Sequence, residues 1–450
     1  MPAFFVRRFA LVSLLAIGCS EQHRLQGGQE NTSVASTEAN VPTTRNDWPQ
    51  ILGPGRNGVA GDEKLADSWP KSGPRTVWQR EGGSGFSGLA VAEGIAVLFH
   101  RVGDVEIVEA MNAATGQPIW KTDFPARYIP SYVNDNGPRA VPVIQGGRVY
   151  VFGALGGLRC VDFETGNKLW ERDTFEEYNS KKQFHGEPPE GYFGIGSTPI
   201  VEGDKLIVNV GGDTKGAGIV AFSLQTGKTL WKATKERASY SSPVAATVDG
   251  VRHVIFVTRL NVVSIDPANG KVRFRFPFGA HGPKVSAATP LVLDGHLFVS
   301  ASYEFGAVFA KIGPSDAKVL WSSDEMMSSQ YTTCVWDNGS LYGIHGRQDR
   351  GRAGLRCFDP KTQKVCWEKS SFGYATLIKA DGKLLILKTN GELVLAELNP
   401  NQYRELARAT IFEPTIRERY PVKALPALAT GRLYVRDTRT IKCINLRKEE

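Results

Sequence analysis

The chain has 450 residues, 41% apolar and 22% charged, which supplies a large core, excludes global disorder and suits one large all-β domain. Its 54 basic and 46 acidic residues give a formal charge of +8, but the densest basic group (Arg347, Arg350, Arg352 and Arg356) is interrupted by Asp349 and glycines, so no nucleic-acid partner is expected. Forty-eight glycines and 25 prolines without a Gly-x-y period exclude collagen and point to many tight turns; the lack of an 18-residue apolar run excludes an ordinary transmembrane helix.

From the N-terminus, Arg7-Arg8 followed by the apolar stretch Phe9 to Ile17 reads as an export signal over residues 1–18. The run Leu15-Ala16-Ile17-Gly18-Cys19 resembles a bacterial lipobox. Cys19 is then the lipid attachment site, and the membrane is a partner through that anchor. The alternative is an ordinary signal cut nearby, with Cys19 incidental. Residues 19–46 are rich in Ser, Thr, Gln, Glu and Asn, cannot offset their ordering entropy, and read as a disordered tether. Residues 47–450 are expected to form a single domain at the periplasmic face of the cell envelope.

A repeated unit fills that domain. It reads Ala110-Met111-Asn112-Ala113-Ala114-Thr115-Gly116-Gln117-Pro118-Ile119-Trp120 and again Cys160-Val161-Asp162-Phe163-Glu164-Thr165-Gly166-Asn167-Lys168-Leu169-Trp170. Further copies end at Trp231, Phe274, Trp321, Trp367 and, degenerately, Leu406. The Asp or Asn can hold the amides of the following turn, the glycine closes a hairpin at positive φ, and the aromatic ring fills the wedge between sheets. Two further strands precede each unit, with Asp-Gly or Gly-Gly turns between them, which makes four antiparallel strands per repeat: a propeller blade. Inner strands open near Ser87, Ala140, Ser197, Ser241, Ala288, Thr332, Ala375 and Ala424, but the eighth lacks an outer strand. The segment Arg75 to Gln79, with Trp78 in place, supplies it. The expected fold is an all-β, eight-bladed propeller closed by an N-terminal outer strand, with Trp78, Trp120, Trp170, Trp231, Phe274, Trp321 and Trp367 docking blade on blade.

Other chemistry is sparse. Cys160, Cys334, Cys357, Cys366 and Cys443 are odd in number, with no Cys-x-x-Cys and no adjacent pair, so they read as buried small residues. The seven histidines show no metal-ligand spacing, and no metal site is expected. No nucleophile elbow or phosphate loop occurs.

The repeat A-x-D-x-x-T-G-x-x-x-W resembles that of pyrroloquinoline-quinone (PQQ)-type propellers, a family that includes quinoprotein alcohol dehydrogenases and the BamB lipoprotein of outer-membrane assembly. Asp47-Trp48-Pro49-Gln50-Ile51-Leu52-Gly53-Pro54-Gly55-Arg56 is similar to the lead-in of bacterial propellers of this kind. The resemblance covers residues 47 to 446 and implies two alternatives. One is a PQQ-dependent alcohol or sugar dehydrogenase with calcium. The vicinal cysteines that the family's dehydrogenases carry are missing here, and no match to their calcium ligands is found. The other, preferred, is a non-catalytic binding or scaffold protein with an envelope protein or peptide partner, a monomeric propeller and no cofactor. Register places Arg139, Tyr240, Tyr331, Tyr374 and Lys423 at the start of inner strands, around the channel mouth with Phe86. Tyr192 joins them from the long loop 173–195, and a second long loop spans 345–354.

Overall fold

Apolar runs punctuated by Asp-Gly, Gly-Gly and Thr-Gly turns fold each repeat into one antiparallel sheet. The first blade has an inner strand Leu89–Ala92, then Ile95–Val102 and Val105–Asn112, and an outer strand Pro118–Pro125. Residues Ala96 to Phe99 are fully buried, because a sheet lying between two neighbours has no solvent face. The computed structural model describes residues 46–448 apart from 127, 131, 133, 134, 181–190 and 283. The export signal, Cys19 and all but the last residue of the tether fall outside the described residues, as do Phe184, His185 and Pro188-Pro189 of the first long loop.

Eight such sheets stand among the described residues, as the repeat count requires. The inner strands of blades two to eight are Val143–Gln145, Ile200–Glu202, Val244–Val248, Leu291–Leu293, Val335–Asp337, Ala375–Ala380 and Ala427–Ala429. The ring closes as expected: Thr76–Glu81 pairs with Thr440–Asn445, Trp78 opposite Cys443, and completes blade eight.

The hairpin between third and outer strands does two jobs. Asp162 Oδ1 accepts from the amides of Glu164 and Thr165 at 3.1 and 2.8 Å, which folds the turn. The glycine that follows is the seat for the tryptophan of the preceding blade. A Cβ on Gly227 would lie 2.7 Å from the Trp170 ring, while Trp170 Nε1 donates to the Leu224 carbonyl at 2.9 Å. Trp78 repeats this pair of contacts with Gly116 and Ala113, Trp120 with Gly166 and Phe163, and Trp231 with Gly270 and Pro267. Trp321 and Trp367 donate to the Pro360 and Asn399 carbonyls. The Phe274 ring has no N–H to donate and packs beside His253 and Phe276.

Towards the axis, Ser and Thr side chains stitch neighbouring inner strands. The Val141 amide donates to Thr198 Oγ1 at 3.0 Å, the Thr198 amide to Ser242 Oγ at 2.9 Å, and the Thr289 amide to Thr333 Oγ1 at 2.9 Å. Between blades one and two, Arg159 pairs with Glu106 at 2.7 Å and lies 4.4 Å from the Phe124 ring centroid.

One carboxylate on blade seven carries a pH signature. Glu392 is partly desolvated, which pushes its pKa up, but hydrogen bonds from Lys388, Asn390 and Arg408 outweigh this and hold it at about 2. A carboxylate so depressed contributes stability above its ordinary value of 4.5, lost as pH falls towards 2. Because the group is partly exposed, Glu392→Gln is expected to cost only about 1–2 kcal/mol at pH 7. Urea unfolding should show the difference from wild type shrinking below pH 4.5.

Candidate binding site at the channel mouth

Four antiparallel strands send alternate connections to opposite ends of the blade. The links from second to third strand and from outer strand to next inner strand therefore share one end, the loop face. The inner strands also begin there, so the two long loops and the mouth residues are brought to one side.

Arg139 is buried in this face. Its guanidinium carbon lies 5.0 Å from the ring centroids of both Phe86 and Tyr128. Arg139 pairs with Asp135 at 3.3 Å and donates to the Asp135 carbonyl at 2.6 Å and to that of Gly137. Burial pulls its pKa down and Tyr128 and Asp135 pull it back; a guanidinium remains charged at neutral pH. Lys423 Nζ stands 5.4 Å from the same Phe86 ring and 3.6 Å from Glu418. Gly196 separates Arg139 from Tyr240: a Cβ there would lie 3.7 and 3.2 Å from them. Tyr240 meets the Phe193 ring edge-on at 5.4 Å, Phe193 meets Tyr132 at 5.6 Å, and Tyr132 meets Tyr192 at 5.3 Å. Arg139, Lys423, Tyr240 and Tyr192 thus share one aromatic neighbourhood.

Tyr331 and Tyr374 form a second one, their rings 4.3 Å apart. Tyr374 is buried, and its hydroxyl accepts from the amides of Tyr331 and Thr332 at 2.7 and 3.1 Å, so it props the loop rather than offering a hydroxyl to the channel. Burial pushes its pKa up despite those bonds, which keeps it neutral. Tyr331 donates to Gln348 Oε1 at 2.7 Å, in the loop 345–354. In that loop Arg347 lies 4.1 Å from the Tyr303 ring centroid and donates through Nε to Asp349 at 2.9 Å. Arg356 is drawn inward by Glu368 at 2.5 Å, which leaves the arginine cluster dispersed.

Sequence reasoning missed the segment between the first outer strand and Arg139. It carries Ile129, 78% exposed, and Tyr132, 59% exposed. The signal was the length of residues 126–138, which exceeds that of the loop 345–354, with Tyr128, Ile129 and Tyr132 beside prolines.

The donor set here is aromatic with paired charges. A polyanionic quinone with calcium requires cations free to meet its carboxylates and carboxylates free to meet the metal. At the mouth Arg139 meets Asp135 and Lys423 meets Glu418, and no three His, Cys, Asp or Glu side chains gather to hold a metal among the described residues. The described mouth does not fit that group.

Comparison with known proteins adds a family. The family described as outer membrane protein assembly factor BamB matches residues 104–369, more than half of the chain. No curated protein sequence matches it. Among solved structures, BamB from Moraxella catarrhalis is similar with a TM-score of 0.57 at 16% identity, covering 82% of this chain and 99% of that one. Quinohemoprotein alcohol dehydrogenase from Comamonas testosteroni is similar with a TM-score of 0.61 at 15% identity, covering 91% and 82%. At such identities the likeness is one of fold, which hosts both assembly factors and oxidoreductases.

Proposed function

The chain belongs to the family described as outer membrane protein assembly factor BamB, and from that premise we propose that it is a non-catalytic binding or scaffold protein of the bacterial envelope. It acts as a monomeric propeller, anchored through Cys19, that holds an envelope protein or peptide on its loop face. The observation that supports this reading is the aromatic neighbourhood of Tyr132, Tyr192, Phe193 and Tyr240, with Tyr132 and Ile129 standing clear of the surface. Exposed apolar groups clustered beside paired charges suit a protein partner better than a small polyanion. No helix among the described residues is long and apolar enough to cross a membrane.

The competing reading is a PQQ-dependent dehydrogenase. Protein incubated with PQQ and calcium is expected to retain no quinone absorbance after gel filtration and to oxidise no alcohol with a dye acceptor. Stoichiometric retention with turnover would establish the dehydrogenase instead. Crosslinking of the tethered protein in intact envelopes should yield a partner adduct that falls roughly tenfold when Tyr132→Ala and Tyr240→Ala are combined, with melting unchanged. An undiminished adduct would move the site off this face.

A further inference from the structure

Antiparallel pairing fixes which backbone groups of each inner strand face the channel axis. In the hairpin Leu291–Leu293 to His296–Ala301, Leu293 and His296 flank the tight turn as partners, and Val292 stands opposite Leu297. Ladder hydrogen bonds come at alternate residues, so Val292 turns its N–H and C=O away from the ladder, towards the axis. The same register holds for Val91, Ile144, Thr247, Trp336 and Lys379.

Three of these six positions are occupied by the chain itself; Val201 and Leu428, in the same register on blades three and eight, are not, and neither lines the cavity at blades four to six. Trp48 and Val91 exchange both backbone hydrogen bonds at 2.8 Å. Lys379 donates to the Gly58 carbonyl at 2.8 Å and accepts from the Ala60 amide at 2.9 Å, and Ile144 donates to the Pro49 carbonyl at 2.8 Å. The segment 46–60 therefore crosses the turn face, largely in turns, and bridges to inner edges at isolated positions. Arg56 fixes its middle: the buried guanidinium donates to the carbonyls of Thr198 and Pro199 at 2.9 and 2.8 Å.

The other three positions, Thr247, Val292 and Trp336, sit on the adjacent blades four, five and six. All three border one cavity of about 640 Å³, walled on its far side by Arg56, Asn57 and Val59. Among the described residues nothing bonds their inward backbone groups. The volume lies within the usual range for ligand sites. The cations beside it are committed, Arg56 to carbonyls and Lys379 to Asp337 at 2.5 Å. Two exposed turn residues, Asp249 and Asp294, bring carboxylates to the rim. Asp249 has no ion pair among the described residues, and Asp294 has only Lys361 at 3.9 Å.

We propose that this cavity binds an extended peptide segment of a partner protein. The segment adds as a strand to the free inner edges of blades four to six, with small or apolar side chains inside and a basic residue at the rim beside Asp249 and Asp294. Unpaired strand edges are templates for such addition, and the chain's own segment bridges two of these edges, at Val91 and Lys379. The site is on the turn face, and its success or failure is separate from that of the loop-face reading.

The probe is a fluorescein-labelled Thr-Val-Ala-Val-Lys-Lys peptide, titrated by anisotropy at low salt. Saturable binding is expected, weakened roughly tenfold by N-methylation at alternate amides. Combining Thr247→Pro with Val292→Pro deletes two inward N–H groups without removing a ladder bond, and should weaken binding to a similar degree with circular dichroism and melting unchanged. Should that variant fail to fold, hydrogen exchange on the wild-type protein decides: the probe should slow the Thr247 and Val292 amides. Asp249→Asn with Asp294→Asn should weaken this probe several-fold and leave a Ser-Ser-tailed version unaffected, while Tyr132→Ala with Tyr240→Ala should leave it bound. No saturation up to about 1 mM probe, equal binding of the N-methylated peptide, or no amide protection would overturn the proposal.

Discussion

Replacing Trp170 by alanine is expected to cost the propeller about 3–5 kcal/mol. The ring is buried between blades two and three, stacked on Gly227, and its N–H is satisfied by Leu224. Truncation opens a cavity that sheet backbones on either side cannot close, and leaves the Leu224 carbonyl without this donor. Trp170→Phe should cost less, about 1–3 kcal/mol, because it keeps most of the ring and loses the hydrogen bond. Gly227→Ala attacks the same contact from the other side: its φ is +66°, strained for any side chain, and its Cβ would press 2.7 Å from the indole. In the Trp170→Ala background the steric part of that penalty should vanish and the φ part, about 1–2 kcal/mol, should persist. Urea unfolding of the four proteins in a double-mutant cycle measures this. Additive losses would mean that tryptophan and glycine do not act as one contact.

That pairing explains why the fold was so legible. Thr-Gly and the tryptophan four residues on recur in one copy of the repeat, but Trp78, Trp120, Trp170 and Trp231 each rest on the glycine of the following copy, so the spacing is fixed by a contact between blades. Counting inner-strand openings then gave eight blades, and Trp78 marked the strand that closes the ring. The mouth was legible only in register. Position along an inner strand identifies Arg139, Tyr240 and Lys423 as neighbours of the axis, but where a side chain ends depends on loops of irregular conformation. Tyr374 is at the expected position, and its hydroxyl is taken by two amides of the segment that leads into the inner strand of blade six. Tyr132 was not singled out, and it joins Tyr192 to the Phe193–Tyr240 pair. The crossing of the turn face by residues 46–60 left no periodic trace. Its bonds are mostly backbone to backbone, its sequence is broken by Pro49, Gly53, Pro54 and Gly55, and Arg56 finds its partners at Thr198 and Pro199.

The second large effect is expected at that arginine. Burial pulls the Arg56 guanidinium down to about 9, still above neutral pH, so a full charge lies in the axial region with carbonyls and Gln50 Oε1 as its acceptors. Arg56→Met fills similar volume but strands the buried carbonyls of Thr198 and Pro199, a loss of roughly 3–5 kcal/mol if the segment stays in place. The segment need not stay. Residues 46–60 add to inner edges without belonging to any blade, so the protein can release them and rehydrate those carbonyls. Global stability is then expected to fall by less than the local loss, with release as its ceiling. Hydrogen exchange separates the two responses. Release frees the inward amides of Val91, Ile144 and Lys379, which should exchange faster by roughly a hundredfold or more, while ladder amides of the same strands stay protected. Arg56→Lys keeps the charge but presents a point donor in place of the planar fork, and should fall between wild type and Arg56→Met. Unchanged exchange at Val91 and Lys379 in Arg56→Met would show that the segment holds by its backbone bonds alone. An accelerated ladder would show instead that Arg56 supports the blades themselves.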